Sequence, residues 1–206
     1  MIRNFYIMKP LLILATVLGL ASNSFAQQAE VGKPAPNFTL KNTAGKSVDL
    51  SSFKGKTVVL EWVNFGCPFV KKHYDTKNMQ NLQKEAADKG VVWLSICSSG
   101  PGNQGNESAG AGAAKAKEYD SNAAAYLLDE DGKVGQEYGA KTTPDMFVIN
   151  PEGVLVYAGA IDDKPTPDHS TVDTPNNYVR AALNSIADGK PVETPSTKSY
   201  GCAIKY

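Results

Sequence analysis

The chain has 206 residues, enough for one domain with a substantial core and too few for two ordinary ones. Its 21 basic and 21 acidic residues cancel, which excludes the basic stripe of a nucleic-acid-binding surface. A composition 42% hydrophobic and 20% charged excludes wholesale disorder.

Residues 1–26 read as a secretory signal peptide. Arg3 and Lys9 form a positive front, Pro10 to Ala21 is apolar, and Ser24-Phe25-Ala26 sets small residues at the cleavage positions. The apolar run is about a dozen residues, against the ~20 that a spanning helix needs. The expectation is an exported, periplasmic protein cut after Ala26, with no stable membrane span afterwards.

Residues 27–190 read as one domain. Pro34 and Pro36 keep the lead-in extended. Phe38 to Leu40 and Ser47 to Leu50 read as short strands of a hairpin. Thr57 to Val63 is nearly continuous in apolar and β-branched residues, as a strand buried on both faces requires. Asn64-Phe65-Gly66 breaks it. A helix is predicted from Cys67-Pro68 to about Lys89, with Pro68 in its first turn and Gly90 ending it.

Val91 to Ile96 is a second buried strand. Residues 98–113 form a Gly-rich loop leading to a helix that ends near Tyr119. Gly110 and Gly112 lack the following Lys-Ser/Thr of a phosphate loop. Ala125 to Leu128 is a strand, and Val134 to Tyr138 a short helix. Met146 to Asn150 and Val154 to Ala158 flank Pro151-Glu152-Gly153 as a β-hairpin. Asn177 to Asp188 is an amphipathic helix, and residues 191–206 are an irregular tail carrying Cys202. Alternating strands and helices followed by a hairpin predict an α/β fold, a mixed central sheet flanked by helices.

Three cysteines follow the leader: Cys67, Cys97 and Cys202. In an oxidising compartment an odd count leaves one thiol unpaired or exchanging partners. Cys67 stands where a buried strand meets a helix N-terminus, whose N–H groups favour the thiolate, the nucleophilic form. Glu61, among Leu60, Trp62 and Val63, is a carboxyl whose protonated form desolvation would favour.

The segment Val58 to Lys71, with Cys67-Pro68-Phe69-Val70-Lys71 at its end, resembles the active-site strand and helix of the thioredoxin superfamily. Val31 to Leu40 resembles the opening of peroxiredoxins and of exported thioredoxin-like proteins. Thr142-Thr143-Pro144-Asp145 resembles the cis-proline loop, and Gly201 to Tyr206 is similar to the ending of a peroxiredoxin-like redoxin family. The resemblance implies a thioredoxin-like fold with Cys67 as nucleophile and Glu61 as a buried acid that shuttles protons. It also implies a substrate-binding edge at Thr143 and Pro144, beside Pro68.

The chain departs from those patterns at identifiable places. Val70 stands where thioredoxins carry their second cysteine. Asn64 and Leu60 stand where peroxiredoxins carry Thr or Ser and Pro. After the leader the one arginine is Arg180, so Asn64 is the candidate hydrogen-bond donor to the sulfur, and Lys71 or Lys72 the candidate charge. Cys202, on a tail expected to reach and withdraw, is the favoured resolving cysteine. Cys97 is the alternative, with a core role preferred for it.

The function expected is a thiol-dependent oxidoreductase without a cofactor. Its substrate would be a protein or small-molecule thiol, disulfide or peroxide, and an external thiol its reductant. Two alternatives are a one-cysteine peroxidase that forms a sulfenic acid and a copper- or thiol-binding chaperone using cysteines with His73 or His169. For the chaperone the ligand spacing is weak, and His73 is expected on a solvated helix face, so no metal site is assigned.

Overall fold

The computed structural model describes residues 28–172 and 176–206, together with Met1. The signal peptide predicted over residues 1–26 lies outside the described residues apart from Met1. No helix among the described residues is long and apolar enough to cross a membrane.

The centre of the molecule is a seven-stranded mixed sheet. Its strands are β1 (Thr39–Asn42), β2 (Ser47–Asp49), β3 (Val58–Trp62), β4 (Val92–Cys97), β5 (Ala125–Leu128), β7 (Asp145–Ile149) and β8 (Leu155–Gly159), in the order β2-β1-β5-β4-β3-β7-β8. β3, β4 and β5 are parallel, with Trp62 opposite Ile96 and Ile96 opposite Leu127. The hairpins β1–β2 and β7–β8 are antiparallel additions. Two short strands, β6 (Thr142–Thr143) and β9 (Cys202–Ala203), pair separately.

Among the described residues five α-helices flank the sheet: α1 (Pro68–Asp75), α2 (Asn78–Asp88), α3 (Ala109–Glu118), α4 (Lys133–Tyr138) and α5 (Tyr178–Ala187). Every residue of β3 is buried, and its alternation feeds two cores. Val59 joins Met79, Leu82, Trp93 and Val179 on one face. Leu60 and Trp62 join Leu94, Leu127, Tyr138 and Phe147 on the other. A central parallel strand covered on both faces has no solvated side to spend polar residues on, which explains its apolar run.

The helix predicted from Cys67 to Lys89 is two helices. Thr76 turns its hydroxyl back to the Lys72 carbonyl at 2.7 Å, and Lys77 adopts a left-handed conformation, φ 61°. That bend lets α1 and α2 each pack an apolar stripe on the sheet. It also buries His73 completely, where a single straight helix had placed it on a solvated face.

The predicted irregular tail is ordered. From Gly189 the chain runs back along β8, where the Ala158 N–H bonds to Pro195 O and the Thr197 N–H to Ala158 O. It then crosses to β6 and ends as β9 and a C-terminal hook.

Candidate active site

Cys67 sits at the end of β3, where the turn Asn64-Phe65-Gly66 redirects the chain into α1. The turn is held mainly by Asn64, with the Gln104 amide donating to Gly66 O at 3.3 Å. The Asn64 side-chain oxygen accepts the Gly66 N–H at 2.8 Å, and its carbonyl accepts the Cys67 N–H at 2.9 Å. The Asn64 amide donates to Gln104 O at 3.2 Å, so it shapes the loop rather than bonding to the sulfur as the sequence reading expected. Cys67 is the N-cap of α1 with extended backbone and no side-chain cap bond, and Pro68 opens the helix. No acidic residue lies in the first turn, so nothing there offsets the positive end of the helix dipole.

The Cys67 sulfur is fully buried. Its thiol contacts Thr143 O at 3.1 Å, and the Cys202 N–H points at it from 3.4 Å. Both neighbours come from one construction. The Thr143–Pro144 peptide is cis, and the two residues of β6 pair antiparallel with β9, Thr142 opposite Ala203 and Thr143 opposite Cys202. Burial, then the hydrogen bond to Cys67 and its charge, push the Cys202 thiol up to about 12. No disulfide joins the three cysteines.

The segment carrying Cys202 is fastened on both sides. The Tyr200 hydroxyl donates to the Asp162 carboxylate, and its ring lies 5.9 Å from that of Phe69. The Ile204 N–H bonds to Lys141 O at 3.0 Å and the Gly100 N–H to Lys205 O at 2.7 Å. The Tyr206 hydroxyl reaches Ala140 O at 2.6 Å. Gly201, at φ 144°, passes so close that a Cβ there would overlap the Thr143 carbonyl. Cys202 therefore meets Cys67 from a docked strap, not from a freely moving tail.

Cys97 ends β4 at the same sheet edge as Cys67. Its thiol is bonded to Gly105 O at 3.0 Å under the Gly-rich loop, and it is buried. The structure thus brings Cys202, and not Cys97, onto the Cys67 sulfur.

Glu61 is fully buried and accepts from Trp93 Nε1 (2.8 Å), Ser95 Oγ (2.9 Å), the Tyr74 hydroxyl (3.0 Å) and Gln83 Nε2 (3.2 Å). Burial raises its carboxyl above the ordinary value against the pull of those bonds. Among the described residues it shares no hydrogen-bond partner with Cys67.

Lys72, a candidate charge for the sulfur, is instead buried with its ammonium on Lys164 O at 3.0 Å and 5.9 Å from the Tyr200 ring centre. Lys71 is exposed. His73 takes the Asn78 amide on Nδ1 at 2.8 Å and sets Nε2 3.4 Å from the Tyr200 hydroxyl. Burial, then the Lys72 charge, lower it to about 3, so it is neutral at ordinary pH.

Sequence reasoning passed over Asp145 and the Tyr200–Asp162 anchor. Asp145 is buried beside the cis peptide, accepts the Lys141 N–H at 2.9 Å, and is pushed up to about 6 by burial. The alternation of Tyr200, Cys202 and Ile204 was the available signal for a docked strand.

Comparison with known proteins agrees with this geometry. The redoxin family model matches residues 30–175. The chain is 35% identical over 150 residues to the thiol-disulfide oxidoreductase ResA of Bacillus subtilis (strain 168), covering 71% of this chain and 78% of that protein. An uncharacterized conserved protein from Geobacillus kaustophilus superposes with a TM-score of 0.76 at 30% identity, over 86% of this chain and 92% of that one. A hypothetical protein from Sinorhizobium meliloti 1021 gives 0.75 at 27%, over 87% and 96%. The sheet order, the cysteine at the strand-to-helix junction and these likenesses agree: the chain belongs to the redoxin family, as a thioredoxin-like, thiol-dependent oxidoreductase.

Proposed function

We propose that the protein exchanges thiols and disulfides with protein partners through a Cys67–Cys202 pair. One observation carries this reading: the Thr143–Cys202 register sets Cys202 against the Cys67 sulfur. Cys67 is the nucleophile. Its thiolate attacks one sulfur of the partner's disulfide, the partner's S–S bond breaks as the new one forms, and the second partner sulfur leaves as a thiolate. Cys202 gives up its proton and attacks the Cys67 sulfur. The Cys67–Cys202 disulfide closes, and the first partner sulfur leaves as a thiolate. Two electrons have then passed from protein to partner, and an external thiol restores the pair by the reverse steps.

The remaining residues have supporting roles. Pro68, exposed beside the buried sulfur, and the Thr143–Pro144 backbone form the face offered to substrate. Asn64 is a positioning residue that fixes the turn. Glu61 is a buried acid held near Tyr74, so its effect on the sulfur runs through α1. The leader-like pattern of residues 1–26 supports an extracytoplasmic, periplasmic setting for this chemistry.

Oxidised glutathione tests the cycle. With the Cys202→Ser variant, a stable Cys67–glutathione mixed disulfide should accumulate. With the wild type it should pass on to Cys67–Cys202 and release glutathione. A wild-type mixed disulfide as persistent as the variant's would remove Cys202 from the mechanism. A sulfenic acid formed rapidly on Cys67 with hydrogen peroxide, and no reaction with disulfides, would favour the peroxidase instead.

A further inference from the structure

A fully buried nucleophile cannot meet a partner's sulfur while Cys202 occupies the space in front of it. What stands there is informative. β6 pairs with β9 alone, as a two-stranded sheet apart from the main one. Without β9, Thr142 and Thr143 would be an open strand edge beside Cys67. Such an edge takes an extended peptide by main-chain hydrogen bonds and reads alternate side chains.

The strap shows what such a peptide looks like when seated. Tyr200, Gly201 and Cys202 are partly buried, and from Cys202 onward burial alternates, with Ala203 and Lys205 exposed and Ile204 partly buried, the period of a strand with one face inward. Tyr200 fills a seat made by Phe69, the Lys72 ammonium and the Asp162 carboxylate. Gly201 is the residue that clears the Thr143 carbonyl. Ile204 packs against the second core. The Thr143 hydroxyl and the second Asp162 oxygen are buried in the same seat with no protein hydrogen-bond partner, so both are placed to pair with a polar group of a seated segment.

We propose that the strap is a tethered stand-in for the partner. The protein recognises an extended protein segment of the form aromatic, Gly, Cys, small residue, aliphatic. That segment lies antiparallel on Thr142–Thr143 once the strap has left. This inference rests on the redox pair of the previous section for what the seated cysteine then does, but the recognition itself is independent of thiol chemistry.

The test uses the reduced full-length chain and its Gly201→Ala and Tyr200→Ala variants. Alkylation of Cys67 by iodoacetamide is followed by peptide mass mapping. Unseating the strap should speed it by on the order of tenfold or more, as local opening becomes easier. An acetylated peptide copying residues 199–206 with Cys202→Ser, added in trans to Gly201→Ala, should restore protection. The same peptide with Tyr200→Ala should protect several-fold less. Both variants reacting at the wild-type rate, or a scrambled peptide protecting equally, would overturn the proposal. So would a concentration-dependent dimer of Gly201→Ala, which would make the occupant a second copy's strap.

Anisotropy of a dye-labelled peptide on the Cys67→Ser, Gly201→Ala double variant separates the two readings. Sequence-selective binding there, with no disulfide exchange by the wild type, supports this inference and overturns the redox pair. Exchange without selective binding does the reverse.

Discussion

The main-chain N–H of Cys202 points at the sulfur of Cys67 from 3.4 Å, across 135 residues of sequence. Two short strands bring it there: β6, leading into the cis Thr143–Pro144 peptide, and β9, at the end of a strap held by Tyr200 and Tyr206. The consequences of that contact differ for each cysteine.

Cys202 should be the slow thiol of the pair. Burial and the neighbouring Cys67 hold its proton up to about 12, and the thiolate is the form that reacts. In the reduced protein at pH 8, alkylation of Cys202 should lag that of a free cysteine by on the order of a hundredfold or more. Mass mapping of a time course with iodoacetamide measures this. Once Cys67 is blocked as a neutral mixed disulfide its charge is gone, and Cys202 should become more reactive.

Cys97 should be dispensable for exchange. Its thiol bonds to Gly105 O beneath the Gly-rich loop, away from the strap. Cys97→Ala removes a small buried group, so a loss of about 1 kcal/mol is expected, read from urea unfolding. Its rate of exchange with oxidised glutathione should match the wild type.

Asp145 should make stability fall as pH rises. Burial lifts its folded pKa from 3.8 to about 6, so folding favours its protonated form. That contribution is fully present below pH 3.8 and is lost as pH rises through about 6. Its size is at most about 2–3 kcal/mol. The stability difference between wild type and Asp145→Asn should therefore shift in favour of the variant between pH 4 and 6 and then level off. A difference independent of pH would mean that the carboxyl is not held up.

Much of this was legible in the sequence because the signals were local. Thr57 to Val63 announced a strand buried on both faces, and the break at Asn64 to Gly66 followed by Pro68 placed Cys67 at a helix start. The hairpin around Pro151 to Gly153 carried its own turn residues. The missed features depended on distant parts of the chain. Nothing in Asp75-Thr76-Lys77 resembles a helix breaker, since neither glycine nor proline is present; the hydroxyl of Thr76 and the left-handed Lys77 make the bend, and packing on the sheet rewards it. His73 is buried as a result. The seat of the strap was unreadable for a related reason. The alternation of Tyr200, Cys202 and Ile204 marks a strand, but its place is set by Asp162, Lys141, Gly100 and Ala140, none near it in sequence.

The most direct test of the central claim is disulfide mapping by mass spectrometry of the full-length protein after mild oxidation. The account predicts one cross-link, Cys67 to Cys202, with Cys97 recovered as a free thiol. A Cys67–Cys97 link, or Cys67 and Cys202 both recovered free, would contradict it.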